Sequence, residues 1–421
     1  MSQAETVIPS VERRPLPLGW RWVRLKDVLI SLEAGSRPSG GAAGVTEGIP
    51  SLSAEHMTQN GGFDFSSLRF VPHEFHARMS RGHILRYDSL VVKDGATTGK
   101  VAFVGDDFPF QEAVINEHVF VCRPNIRVVE PRYMFLWLWG EEGQAAIRAN
   151  YQGAAIGGIN QMFADSVWLP LPPVEEQSRI ARVVTEQLGV IERARSAMLE
   201  RLRTAGRLSA AYLRAIFDKP EARRWVRRHL GEVSTLLRAR SIATNGNVEV
   251  RAITTACLTE TGFDPAGIKL ARMRSDDVPD CIVRAGEVLV ARSNTPELVG
   301  RAAMYPGNHG EVVASDLTIR IMPGREITPA FLSAYLSFLY LCGHWKERAG
   351  GASGSMKKIT RAQIQSEPVP IPPLSEQERI TAQLRQEITR VQKLRGALAD
   401  ELNATSGLSR AILRQAFNGE L

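Results

Sequence analysis

The segment Leu169-Pro-Leu-Pro-Pro-Val-Glu-Glu-Gln-Ser-Arg-Ile180 returns 200 residues later as Val369-Pro-Ile-Pro-Pro-Leu-Ser-Glu-Gln-Glu-Arg-Ile380. The echo continues, since Leu208-Ser-Ala-Ala-Tyr-Leu-Arg-Ala-Ile-Phe217 matches Leu408-Ser-Arg-Ala-Ile-Leu-Arg-Gln-Ala-Phe417. A duplication of this length sets the architecture before any local reading. The chain is two copies of one module, each ending in a Pro-rich strand exit and a long helix. Two copies suit a target with two halves.

Outward from these motifs the chain divides into five parts: a short flexible lead (1–17), a globular block (18–168), a helical block (169–221), a second globular block (222–368) and a second helical block (369–421). The globular blocks are strand-rich. Ser89–Val92, Lys100–Val104 and His118–Cys122 in the first, and Glu287–Ala291, Ala302–Tyr305 and Leu317–Ile321 in the second, are short and often β-branched. Each block also has a helix-like apolar stretch, Pro131 to Ile147 and Pro329 to Trp345. Both open on a tryptophan followed by Leu-x-x-Val (Trp22, Leu25, Val28; Trp225, Leu230, Val233), and both close on a Gly-rich stretch before Ile159 or Ile359. Between these landmarks they diverge. The expected fold class is α+β, two globular domains separated by a pair of long antiparallel coiled-coil helices, with a pseudo-twofold internal repeat.

The helical blocks carry a heptad. One seam position is Val184, Ile191, Met198, Ala205, Tyr212, and the other is Leu188, Arg195, Leu202, Ser209, Ile216. The second copy gives Leu384, Val391, Leu398, Thr405, Ile412 and Ile388, Arg395, Leu402, Ser409, Ala416. Polar residues interrupt both seams at the same places, Arg195/Arg395 and Ser209/Ser409, which predicts pairing of the helices in fixed register. The arginines are expected to meet acids on the facing helix. Pro172-Pro173 and Pro372-Pro373 force an extended approach to each helix, and Ser375-x-x-Glu378 reads as a capping box. Asp218-Lys-Pro220 and Asn418-Gly419 are the stops. A helix from Glu176 to Phe217 would run about 60 Å. If the pair is antiparallel, Leu421 returns to the start of the first block.

Bulk composition agrees with a multidomain soluble protein: 421 residues, 44% hydrophobic, 23% charged. No apolar run reaches membrane-spanning length, and the lead lacks the apolar core of a secretory signal. Cys122, Cys257, Cys281 and Cys342 have no metal or redox spacing and read as reduced thiols in a cytoplasm. The net charge of +7 favours a polyanionic partner without specifying one.

The Pro-Pro-x-x-Glu-Gln-x-x-Ile signature, present twice and followed by heptad helices, resembles the specificity subunit of type I restriction-modification enzymes, from about Leu18 to Leu421. The resemblance implies a subunit without a catalytic site. It implies two target-recognition domains reading the halves of a bipartite, asymmetric double-stranded DNA site across a non-specific gap, with helices that set the gap. It also implies two methyltransferase partners that hold S-adenosylmethionine for adenine methylation, and a further motor-nuclease partner using ATP and magnesium. The chain agrees in what it lacks: no Asn/Asp-Pro-Pro-Tyr/Phe motif for a flipped adenine and no strand–GxGxxG–helix. Gly95-Ala-Thr-Thr-Gly-Lys100 has three residues between its glycines, one short of a P-loop, and a strand follows it.

Candidate DNA contacts fall in three segments of each block. Lys93, Thr97, Thr98 and Lys100 form a polar loop in the first block, with Arg292, Ser293, Asn294 and Thr295 its counterpart in the second. Ser36 and Arg37, and Arg238 and Arg240, follow the opening strands. Gln152, Asn160 and Gln161, and Ser355, Lys357 and Lys358, lie in the closing stretches. Each reads equally as a solvated hairpin or surface charge. His73 and His76 lack a third ligand and read as packing, as do Trp137 and Trp139. Glu176-Gln177 and Glu376-Gln377 read as helix capping and partner contact. The alternative for the whole chain is a coiled-coil protein-interaction scaffold that binds no DNA, or the recognition module of a fused restriction enzyme.

Overall fold

The computed structural model describes residues 14–39, 41, 44–153, 157–242, 246–351 and 356–421. They group into two units, one holding the chain up to Ala197 together with Leu402–Leu421, the other Met198–Glu401.

In the first unit a four-stranded antiparallel sheet has the order Leu29–Ala34, Val119–Pro124, Ser89–Val92, Val101–Phe103. Leu90 and Val92 point to one face and Val91 to the other, and all three are fully buried, as expected of strands covered on both sides. A smaller sheet sets Ile49–Leu52 between Phe70–Val71 and a parallel partner, Val114–Ile115. Arg21–Arg24 pairs with Trp168–Leu171, which ties the block's entrance to its exit. The helix-like stretch forms two helices, Pro131–Trp139 and Glu141–Arg148, because the chain turns extended at Gly140.

The second unit repeats this plan with other residues. Its sheet order is Ser234–Leu237, Thr318–Pro323, Val288–Ala291, Ala302–Met304, and its smaller sheet sets Val248–Ile253 between Ile268–Met273 and a parallel Val313–Ala314. Arg227–His229 pairs with Pro368–Pro370. Pro329–Leu341 and His344–Arg348 are separated at Gly343, whose φ of +79° suits glycine. The entrance registers correct one landmark. Arg24 lies opposite Trp168 and His229 opposite Pro368, so the counterpart of Trp225 is Trp20, not Trp22.

The long helices are Val174–Phe217 and Leu374–Asn418. Each unit contains the start of one and the end of the other, packed antiparallel. Ile180, Ala181 and Val184 share a core with Leu413, Ala416 and Phe417 in the first unit, while Ile380 and Leu384 share one with Leu213 and Phe217 in the second. Phe417 meets Tyr133 edge-on, and Phe217 meets Phe331 and Tyr335. Burying a ring of this size contributes about 1.5–3 kcal/mol. The C-terminus returns as expected, since Leu421 packs into the same core as Trp20 and its carbonyl accepts a 2.6 Å hydrogen bond from Arg179. Arg14 donates to the Phe417 carbonyl at 2.5 Å and stacks over Trp22.

Along the helices Val184, Ala205, Ser209, Leu384, Val391, Leu398 and Thr405 are buried, whereas Leu188, Ile191, Met198, Leu202, Ile388 and Leu402 are half-buried. Arg195 and Arg395 are exposed, and neither enters an ion pair among the described residues, so the expected pairing with acids is corrected. A long cationic side chain at the flank of a seam lays its stem along the helix and carries its charged head into water. The second helix also begins one residue before Ser375. Gln377 N–H meets the Pro373 carbonyl at 3.1 Å, so Ser375 stands inside the first turn and not at the cap.

Each unit has an arginine–carboxylate pair whose arginine stands on a strand of the main sheet. Arg123 donates to Asp88 at 3.1 and 3.0 Å and to Glu33 at 3.0 Å. Arg320 donates to Glu287 at 2.8 and 2.9 Å, with both side chains almost fully buried (3% and 0% exposed). Asp88 and Glu287 precede equivalent strands, and each also accepts from a backbone N–H three residues earlier, Leu85 or Arg284. Burial pushes the Asp88 carboxyl above the usual range despite the opposing pull of Arg123.

Candidate nucleic-acid interface

Antiparallel order fixes which loops share an end of a sheet. The exits of Leu29–Ala34 and Ser89–Val92 lie beside the start of Val119–Pro124. This one end therefore receives Ser36 and Arg37, Lys93 and the turn after it, and Glu117–His118. The closing stretch joins them, because Ile159 N–H meets the Lys93 carbonyl at 2.8 Å and Asp94 bridges Gly158. Three segments far apart in sequence meet here.

The second block does the same by the same bonds. Ile359 N–H meets the Arg292 carbonyl at 2.8 Å, and Arg292 N–H meets the Leu317 carbonyl as Lys93 N–H meets that of His118, both at 2.8 Å. Ser293–Asn294 pairs antiparallel with Lys357–Lys358, and Arg240 bridges Ser315. Lys93 and Arg292 are thus positional equivalents, as are Asp94 and Ser293, Glu117 and Asp316, His118 and Leu317.

Individual side chains behave unequally. In the first block Arg37 pairs with Glu117 at 3.0 Å, and His118 faces Glu117 at 3.4 Å and Asp94 at 2.5 Å. Lys93 faces Asp94 at 3.6 Å, at the far end of this chain of contacts. Thr98 Oγ1 donates to the Gly95 carbonyl at 2.7 Å inside a turn whose Gly95 and Gly99 take φ of +92° and +87°. Lys100 corrects the phosphate-clamp expectation. Its Nζ turns inward to the Ala54 and Met57 carbonyls, both at 2.9 Å, and burial lowers its pKa. Two oxygens that need donors hold it there more firmly than water would.

Gln152 joins Gly158 through the backbone alone, leaving its side chain exposed. Asn160 Oδ1 accepts from Met162 N–H at 2.9 Å, and Gln161 Nε2 reaches the Leu32 carbonyl at 3.4 Å. In the second block Arg238 is exposed, while Arg240 faces Asp277 at 3.5 Å and Asp280 at 3.8 Å. Asn294 commits its amide to the Thr255 hydroxyl (3.2 Å) and its oxygen to Thr295 N–H (2.9 Å). Arg292 Nη1 reaches the Asp316 carbonyl at 3.3 Å. Lys358 is exposed and Lys357 half-buried, and Ser355 lies outside the described residues. Asp94, Glu117, His118 and Leu317 were not singled out from sequence, though their positions at strand ends beside the named loops were a usable signal.

The Glu-Gln motif has a function at each helix start that partner contact does not describe. Gln177 is fully buried; it accepts from Glu130 N–H at 2.8 Å and donates to the carbonyls of Pro172 (2.8 Å) and Val128 (3.3 Å). Gln377, equally buried, accepts from Thr328 N–H and donates to the Glu326 carbonyl, both at 2.8 Å, and to that of Pro372 at 2.9 Å. Each amide fastens a long helix to the block beside it. Glu176 and Glu376 form two-pronged pairs with Arg179 and Arg379 at 2.8 and 2.7 Å, and those hydrogen bonds lower both carboxyl pKa values.

His73 and His76 lie on the short helix His73–Arg78, where His76 packs against His83. Trp137 is buried, and Trp139 donates to the Gln59 carbonyl at 3.0 Å. Among the described residues no group of three His, Cys, Asp or Glu could hold a metal, and no helix is long and apolar enough to cross a membrane. The cysteines are free, three of them buried and Cys342 exposed.

A family model for the type I restriction modification DNA specificity domain matches residues 17–201 and again residues 223–403. The StySPI specificity subunit of Salmonella potsdam is 22% identical over 98% of this chain and 91% of its own. The EcoKI specificity subunit of Escherichia coli K12 is 22% identical over 89% and 82%. Two solved structures share the fold, each at 22% sequence identity. A chain from work on complex assembly and conformational transition of the type I R-M system superposes with a TM-score of 0.77, covering 97% of this chain and 100% of the other. The HsdS subunit from Thermoanaerobacter tengcongensis superposes at 0.60, covering 97% and 99%.

Proposed function

The chain belongs to the type I restriction-modification DNA specificity family and is a non-catalytic recognition subunit, and on that premise we propose that each globular block reads one half of a bipartite, asymmetric duplex site. The observation that carries this reading is the convergence, in both blocks, of three polar segments on the same end of equivalent sheets. A surface built twice by the same backbone bonds, from side chains that differ, suits two unlike half-sites.

The helices then set the gap. At 44 residues, Val174–Phe217 is about 66 Å long at 1.5 Å per residue, close to two turns of duplex at roughly 34 Å per turn. Two methyltransferase subunits dock on the helical pair and bring S-adenosylmethionine for adenine methylation, and a motor-nuclease subunit using ATP and magnesium joins for restriction. The setting is the cytoplasm, where the DNA is.

The test is a methylome of the source strain with and without this gene, read by a method that detects N6-methyladenine. Loss of methylation at one gapped motif on deletion is the expected result. An unchanged methylome in a strain that expresses the partners would overturn the reading. So would DNA affinity of the assembled complex that does not fall with salt, since phosphate contacts impose a steep salt dependence.

A further inference from the structure

The two recognition ends share a backbone and differ in the sign of what they leave unpaired. In the first, the two carboxylates of Asp94 and Glu117 answer the two cations Lys93 and Arg37, and the His118 ring lies between them. In the second, Ser293 stands where Asp94 does and Leu317, half exposed, where His118 does; among the described residues Arg238, Arg292, Lys357 and Lys358 enter no ion pair, and the Arg292 guanidinium meets only the Asp316 backbone carbonyl. Arg240 is already engaged by Asp277 and Asp280.

The unpaired atoms follow the same division. Among the described residues Glu117 Oε2 is shielded from solvent with no donor, and Arg292 Nε is shielded with no acceptor. A buried polar atom without a partner costs free energy and calls for an explanation, and at a surface that meets a ligand a bond to that ligand supplies one. Here one end lacks a donor and the other lacks an acceptor.

We propose that the two ends read DNA with inverted hydrogen-bond polarity: Glu117 accepts from the exocyclic amino group of an adenine or cytosine in one half-site, and Arg292 donates to a guanine in the other. The chemistry of the major groove supports both pairings. Cytosine N4 and adenine N6 are donors that suit a carboxylate, and guanine O6 and N7 are acceptors that suit a guanidinium. Asp94, Lys93 and His118 are positioning residues for Glu117. The His118 ring faces both carboxylates, one at each nitrogen. Arg361, fixed by its bonds to the Leu236 and Leu237 carbonyls (both 2.8 Å), keeps a second guanidinium beside Arg292.

This inference rests on the half-site reading above and is tested separately from it. The assembled complex, with its own methyltransferase partners, is given Glu117→Gln or Arg292→Met, with Glu117→Asp and Arg292→Lys as milder variants should either fail to assemble. Each variant is expected to lose about 10-fold or more discrimination at one base pair, in different half-sites, with the other half unchanged. The decisive measurement is binding to duplexes carrying base analogues. A base lacking the exocyclic amino group at the first position should weaken the parent as much as Glu117→Gln does, and weaken Glu117→Gln no further. A guanine analogue lacking N7 should behave so with Arg292→Met.

Costs that multiply between variant and analogue would overturn the proposal. So would a uniform loss of affinity for specific and non-specific DNA, which would make both residues phosphate contacts, or both variants altering one half-site. If the parent itself has no gapped motif, the half-site reading fails; if it has one and the variants leave it intact, only this inference does.

Discussion

At the helix starts Gln177 and Gln377 make the same three hydrogen bonds to equivalent partners, whereas at the sheet ends the repeat puts Arg292 in the place of Lys93, Ser293 in that of Asp94 and Leu317 in that of His118. The first region repeats in sequence and in structure; the second repeats in backbone alone. A buried amide with three partners leaves no room for another residue, since nearly every substitute strands an N–H and two carbonyls. A loop side chain at a strand end has few neighbours and can change without disturbing the sheet. The duplicated architecture thus keeps what joins block to helix and leaves free what meets the ligand.

The buried ion pairs test how far the backbone repeat extends to energetics. Arg320→Met strands Glu287 in the core of the second block and should cost about 3–5 kcal/mol, read as an early melting transition; replacing both partners with apolar residues removes the lone charge but leaves the Arg238, Asp280 and Ile282 carbonyls without their donor, so it should recover only part of the loss. Arg123→Met should cost less, because Arg123 is 19% exposed and water reaches the site. Asp88 adds a pH signature. Its raised pKa means the folded state holds the proton more tightly than the unfolded chain. Its contribution is therefore full below the ordinary aspartate value of about 3.9 and is lost as pH rises through the higher folded value. Removing Arg123 should widen that window upward. Equal melting losses for the two arginine variants would show that the pairs are equivalent after all.

Next in size come the amides. Gln177→Ala and Gln377→Ala should each cost about 1–3 kcal/mol and do so nearly equally, as their bonding is the same. A large difference between them, measured by denaturant midpoint, would break the comparison at its strongest point.

Lysines at the sheet ends sharpen the other side. Lys100→Met should destabilise by roughly 1–2 kcal/mol through the stranded Ala54 and Met57 carbonyls and leave the salt dependence of DNA binding unchanged. Lys357→Ala with Lys358→Ala should leave melting unchanged and lower the salt slope by about one for each phosphate no longer neutralised.

Much of this was legible in the sequence, for reasons particular residues make plain. The Pro-Pro-x-x-Glu-Gln signature and the helix stops located both long helices, because proline and glycine act on the backbone locally. The main strands were visible as β-branched runs. The short strands Ile49–Leu52 and Val114–Ile115 were not, since their pairing is parallel and long-range and leaves no local pattern. The arginine–carboxylate pairs were hidden for the same reason: Glu287 and Arg320 lie 33 residues apart and look like surface charge in isolation. Lys100 was misread because a lysine in a Gly-rich turn looks solvated until the chain around it folds back.

The smallest effect belongs to Arg195 and Arg395, the matched polar breaks in the heptad. Their identical positions suggested a paired, register-setting role, yet both are exposed and without an ion-pair partner among the described residues. Leucine at either place should change stability by no more than about 0.5 kcal/mol, the ordinary range for a surface substitution. Leucine at both adds exposed apolar side chains to the two helices, so concentration-dependent self-association is the expected consequence and not tighter pairing. If instead the double variant melted several degrees higher with no association, the arginines would be internal seam residues kept at a cost to stability. The repeat would then constrain the middle of the helices as firmly as it constrains Gln177 and Gln377 at their starts.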